Sequence, residues 1–200
     1  MQIATLVRPL AHSLLAAVIL SGSPAVGRAD SHDDHGPGTP HKPSAQENAL
    51  IEAVRTATLR FKTVTAIEGP GEGYELQFGC VSGGEFGAMG LHYVNMGLVD
   101  GSVQPDQPEI ILFEPTKDGK IRIAGVDYLV PAAAWDLEAH KGPPQINGQL
   151  FHLFESPNRF GLDTFYTLHV WAWKDNPNGP FVNWNPRVSC EGFNDPTFEP

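Results

Sequence analysis

Three histidines, His92, His152 and His169, fall in short segments rich in aromatic and β-branched residues: 90–95 (GLHYVN), 149–154 (QLFHLF) and 164–173 (TFYTLHVWAW). Such segments read as β-strands. Side chains alternate across a strand. His169 then shares a face with Phe165, Thr167, Trp171 and Trp173, His152 with Leu150 and Phe154, and His92 with Gly90 and Val94. Histidines among apolar neighbours point into an interior or a pocket. Three imidazoles converging on one point would bind Zn²⁺, Cu²⁺ or Fe²⁺ and leave a position open for water or substrate. No HxH pair imposes that convergence, and a lone histidine on an apolar face is more often a satisfied core residue. Glu114 ends the apolar run 109–114 on the face of Ile110 and Leu112. It is the candidate fourth ligand, or the carboxylate that orients an imidazole. The alternative for Glu114 is an ion pair with Arg122 or Arg187.

A second metal-ligating set lies near the N-terminus. His32 and His35 stand among Asp30, Asp33 and Asp34. Cleavage after Ala29 would start the chain Asp30-Ser31-His32. A free amine, two deprotonated amides and an imidazole at position three make a square-planar nitrogen site suited to Cu(II) or Ni(II). The alternative is a solvated acidic linker. Nucleophilic catalysis has little support. Ser82 lies in Cys-Val-Ser-Gly-Gly without an elbow motif, and a disulfide-bonded Cys80 offers no thiolate. Glu85 and Glu155 are further carboxylates near the histidine strands, but general acid–base work needs two in one cleft.

These residues need a scaffold to position them. The chain has 200 residues, 41% hydrophobic and 18% charged, with 21 Gly and 18 Pro. That suits one core built of short strands and many turns. A formal charge of −10 argues against nucleic-acid binding, which calls for a basic patch. Dinucleotide, phosphate-loop, CxxC, HExxH and GxSxG signatures do not occur. Residues 1–29 read as a secretory signal: Arg8, an apolar stretch from Leu10 to Leu20, then Gly27-Arg28-Ala29 as the cleavage site. The stretch is too short to span a bilayer. Its removal takes two arginines and no acid, deepening the charge to −12. The export address implies a periplasmic or extracellular protein. Residues 30–43 contain no large apolar side chain and read as a disordered tail. The globular domain is then 44–200. Two cysteines, Cys80 and Cys190, in an exported chain imply one disulfide.

Ser44-Ala45-Gln46-Glu47 fits a capping box, and Leu50, Ile51, Val54, Ala57, Phe61 and Val64 follow at one-face spacing, predicting an amphipathic helix over 45–65. Strands are expected at 74–79, 90–95, 109–114, 120–130, 149–154 and 164–173, with an Asp118-Gly119 hairpin between the third and fourth. The fold class is α+β: an N-terminal amphipathic helix on a curved antiparallel sheet, cystatin-like or a small barrel.

Several segments are similar to those of a group of uncharacterised exported bacterial proteins. They include Cys80-Val81-Ser82, Gly87-Ala88-Met89-Gly90-Leu91-His92-Tyr93-Val94-Asn95, His169-Val170-Trp171-Ala172-Trp173 and Asn185-Pro186-Arg187-Val188-Ser189-Cys190. The resemblance covers about 55–190. It implies one exported domain in which the two cysteine segments belong together, and carries no activity or cofactor.

The sequence therefore supports an exported small binding protein holding a transition metal, copper or zinc, or a small apolar ligand. Two alternatives stay open: a metal-dependent enzyme using the same histidines, and a structural module without a ligand. No membrane span or nucleic-acid partner is expected.

Overall fold

The computed structural model describes residues 42–135 and 137–193. The expected leader, most of the tail and the tail ligands His32 and His35 lie outside the described residues. The described residues belong to one compact unit.

Helix α1 (Ala45–Thr58) begins as its sequence dictates. The Ser44 hydroxyl accepts from the Glu47 amide at 3.2 Å, and the Glu47 carboxylate accepts from the Ser44 amide at 2.5 Å. Leu50, Ile51 and Val54 form its buried stripe. The helix is shorter than its apolar spacing predicts. At Leu59–Phe61 the chain tightens into a 3-10 turn, and a short α2 (Val64–Ile67) follows after Thr63 adopts extended backbone. The tightening turns Phe61 inward, edge-on to Tyr74 at 5.4 Å, and leaves Leu59 exposed.

Strands β1 (Glu75–Ser82), β2 (Ala88–Val94), β3 (Ile110–Pro115) and β4 (Ile121–Pro131) follow. Beyond them come α3 (Leu137–His140), the β5 (Gln145–Ile146) and β6 (Gln149–Leu150) ribbon, β7 (His152–Phe154) and β8 (Phe165–Val170). The sheet order is β1-β2-β3-β4-β8-β7, antiparallel throughout, and the sheet curls strongly into a half-barrel. The described strands do not close it: β1 and β7 are its edges. Bulges explain part of the curl. Pairing shifts three times along β1 and again between Leu112 and Phe113, where Gly125 and Ile123 face them and Ala124 is extra.

Both faces of the sheet are buried, which is why β2 and β8 are covered along their whole length. One face packs Leu91, Tyr93, Ile111, Phe113, Val126 and Tyr128 against α1. The other carries a smaller cluster of Ile110, Leu112, Ala124, Trp171 and Val188. The C-terminal segment lies over this second face. It is held by the Cys80–Cys190 disulfide, the Ala88–Asn185 bridge and a 2.6 Å bond from Trp171 Nε1 to the Val182 carbonyl.

Two expected strands are shorter than the sequence suggests. The run 149–154 breaks at Phe151, whose side chain turns into the α1-side core. β8 ends at Val170, and the chain bends so that Trp173 donates to Thr58 Oγ1 on α1. Trp173 therefore does not share the His169 face.

Candidate metal centre

His92 on β2, Asp127 on β4 and His169 on β8 meet on the second face. One ligand atom from each lies within 4.8 Å of the others, and all three residues are buried. Three inter-strand spacings separate β2 from β8, roughly 14 Å in a flat sheet. Sheet curl and inward lean bring the two imidazole centroids to 6.2 Å. Asp127 and His169 are direct cross-strand partners.

The backbone orients each group. Gly90 adopts a positive φ of 90°, and a Cβ there would stand 2.3 Å from the Phe113 carbonyl oxygen. Only glycine fits so close an approach. Its carbonyl accepts from His92 Nδ1 at 3.0 Å, which fixes the tautomer and leaves Nε2 with the lone pair. The Asp127 carboxylate accepts from the Thr167 hydroxyl and the Leu168 amide. His169 is the anomaly. Both of its ring nitrogens are buried and make no hydrogen bond of good geometry; Asp127 Oδ1 is 3.5 Å from Nδ1, and the Asn183 side chain is a weak hydrogen-bonding neighbour of the ring. Asn183 approaches this ring from the C-terminal segment, and its Oδ1 is likewise buried without a hydrogen bond of good geometry.

Burial sets the charge states. Desolvation lowers the His92 pKa to about 4. It pushes His169 well below its ordinary value, helped by His92 and His152. Desolvation raises Asp127 to about 7, against the opposing Thr167 and Leu168 hydrogen bonds. Both imidazoles are thus neutral at pH 7, the form that ligates metal.

The other sequence candidates lie elsewhere. His152 pairs with Thr167 across β7 and β8, so it shares the face, but it is exposed at the sheet's rim and outside the three-residue group. It is close enough to act on His169 only through its charge. Glu114 forms an ion pair with Lys174, 2.8 and 2.9 Å from its two oxygens, and belongs to neither ligands nor orienting groups. Arg122 faces Glu114 in register, yet Lys174 takes the carboxylate; Arg187 pairs with Asp175. Glu85 and Glu155 are exposed. Asp127 was not among the sequence candidates. Its signal is an acid inside the apolar run of β4, where alternation gives it the face opposite Val126 and Tyr128.

A cavity of about 20 Å³, lined by His92, Asp127 and His169 and by Phe78, Phe160 and Thr167, adjoins the group. That is room for one water molecule or one ion. The cavity walls are otherwise apolar. Set against known protein families, curated proteins and solved structures, the chain matches none.

Proposed function

We propose that this domain is an exported metal-binding protein, holding one divalent transition ion on His92, Asp127 and His169. The observation that carries the reading is the convergence of two imidazoles and a carboxylate within 4.8 Å, all buried. The buried ring nitrogens of His169, which make no hydrogen bond of good geometry, support it. A buried polar atom without a partner costs roughly 1–3 kcal/mol, and a metal bond supplies the missing partner. Bonds of ~2.0–2.1 Å require ligand atoms about 3.3 Å apart in a tetrahedral site, so the three groups close inward by about an ångström or less each. Two nitrogens and one oxygen suit zinc or copper.

The disulfide supports an oxidising, exported setting, as does the resemblance to exported bacterial proteins carried by the Cys80 and Cys190 segments. Among the described residues no helix is long and apolar enough to cross a membrane. Of the two expected shapes, our reading favours the cystatin-like one; it is supported by the helix that precedes and packs on the sheet and by β1 and β7 being its edges among the described strands. Three protein ligands leave a coordination position open, which favours metal-dependent catalysis as the second reading. The described cavity lining contains no histidine or carboxylate beyond the ligands to act as a general base, so binding is the stronger reading.

Metal analysis and calorimetry on the full chain test it. The wild type should bind one equivalent of Zn²⁺ more than a His92→Ala/His169→Ala variant, which also subtracts any ion taken by His32 and His35. Equal stoichiometry in folded samples of both proteins would refute the site.

A further inference from the structure

A second cavity, of about 390 Å³, lies beside the metal cavity and shares four walls with it: Phe78, Leu129, Leu162 and Phe165. Its remaining lining is mostly apolar, with Val94, Met96 and Val99 prominent. An apolar cavity of ~150 Å³ suffices for benzene, and small-molecule pockets run from about 300 Å³ upward. The space therefore suits a single-ring molecule with short substituents.

The charges narrow its chemistry. Among the described residues neither cavity is lined by lysine or arginine, and the one acid lining the larger cavity is Asp163. No cationic side chain along the lining pairs with a carboxylate or phosphate on its way in, and carrying an unpaired anion across an apolar wall is costly. A neutral ligand therefore crosses this lining at lower cost than an anion. At the metal the preference reverses. Asp127 is the one acid of the group, so a divalent ion there keeps an excess of one positive charge in a low-dielectric site. A donor that ionises on contact with the metal cancels that excess, because a bound cation depresses the pKa of its ligand.

We infer that the larger cavity seats a neutral phenol whose oxygen takes the open metal position. This rests on the metal-binding reading above. The ring lies against Phe78 and Phe165, where offset or edge contacts between aromatic rings are favourable. The oxygen–metal bond forms as the O–H bond breaks, and the proton goes to solvent. No oxidation occurs. An aliphatic alcohol ionises far less readily, and an arene without a hydroxyl has no donor.

Cobalt(II) makes the step visible, because its absorption reports its coordination sphere. The full chain is loaded with Co(II), and the spectrum of the similarly treated His169→Ala variant is subtracted. 4-Methylphenol should shift the remaining cobalt bands, release about one proton per site and bind at least tenfold tighter than toluene. Val99→Trp, which fills the larger cavity away from the three ligands, should retain the cobalt spectrum and lose at least tenfold in 4-methylphenol affinity. Cobalt bands present but unmoved by 4-methylphenol would overturn the inference and leave the metal site standing. So would equal affinity for toluene, or unchanged affinity in Val99→Trp. Absence of any His169-dependent cobalt band would overturn both readings.

Discussion

Replacing both cysteines by alanine separates what holds the fold from what builds the centre. The Cys80–Cys190 bridge closes a loop spanning a sequence separation of 110. On the chain-entropy model a loop of that length restricts the unfolded chain by about 5 kcal/mol. Cys80 is also packed in the α1-side core, with Cys190 against its edge. Trimming two sulfurs should add roughly 1–2 kcal/mol of lost packing, so comparison with the reduced wild type isolates the cross-link. With a urea slope of about 2 kcal/mol/M, Cys80→Ala/Cys190→Ala should shift the unfolding midpoint down by about 2.5–3.5 M relative to the oxidised wild type. The proposed metal site should respond differently. The part of the C-terminal segment that reaches His169 keeps its own anchors: paired Ala88–Asn185 bonds of 3.2 Å, Trp171 Nε1 on the Val182 carbonyl, and Asn176 Nδ2 on the Trp184 carbonyl at 3.0 Å. Zn²⁺ affinity, measured by calorimetry where the variant is still folded, should stay within threefold. A midpoint shift below 0.7 M would refute the entropic account. A tenfold or greater loss of Zn²⁺ affinity in the folded variant would refute the separation of cross-link and centre.

Three further outcomes follow from the contacts. Thr167→Val removes the hydroxyl that holds Asp127, and loss of such an orienting bond should cut Zn²⁺ affinity 10–100-fold in calorimetric titration; unchanged affinity would show that this hydroxyl does not orient a ligand. His152→Ala and Glu114→Gln should each leave Zn²⁺ stoichiometry at the wild-type value, because neither belongs to the three-residue group; loss of the ion in either would redraw the site. Glu109 is buried, and desolvation raises its pKa from 4.5 to about 8, opposed by the hydrogen bond its carboxylate accepts from the Leu129 amide. The folded state thus holds a proton on Glu109 that the unfolded chain releases at lower pH, so the Glu109 contribution to stability should fall as pH rises from about 4.5 to 8 and level off above, read as the difference between wild type and variant because the buried histidines titrate with the opposite sign. Glu109→Gln should gain stability relative to wild type as pH rises through that window, by up to roughly 5 kcal/mol at pH 9 in denaturant unfolding; parallel pH profiles for the two proteins would sink the assignment.

The parts of this fold that were legible in sequence are those governed by local rules. The Ser44–Glu47 box starts α1 where its chemistry requires. The Asp118-Gly119 turn joins β3 to β4, with Gly119 at positive φ and the Thr116 amide bonded to the Lys120 carbonyl at 2.7 Å. Alternation put His92 with Val94, and His169 with Phe165 and Thr167, each correctly on one face. It failed for Trp173, because β8 ends three residues earlier and the bend there depends on the Ala124 carbonyl, which accepts from both Trp173 and Lys174. That is a contact between distant segments that no local pattern encodes.

The centre exposes the same boundary more sharply. Period-two alternation says which face a residue occupies, not how far apart two residues on that face end up. His152, His169 and His92 all share one face, and no local pattern ranks one of them above the others. The deciding quantity is strand order: β7 is an edge, so His152 meets solvent, whereas β2 and β8 enclose β3 and β4 and the curl folds their histidines together. Strand order and curl in turn rest on bulges and on Gly90 and Gly125, whose tight approaches to the Phe113 and Val170 carbonyls are long-range facts. Glu114 failed for a related reason. Its face was right, but it sits at the far end of β3 from Ile110, the residue opposite Asp127, and there Lys174 reaches it first. Asp127 is the converse case. A single acid in the apolar stretch Ile123–Val130 is expensive to bury unless something binds it, and that expense is itself a sequence-level signal. Ranked by the cost of burial rather than by metal-ligand habit, Asp127 stands ahead of Glu114, because an acid at mid-strand has no free end from which to reach water and a strand-terminal one does.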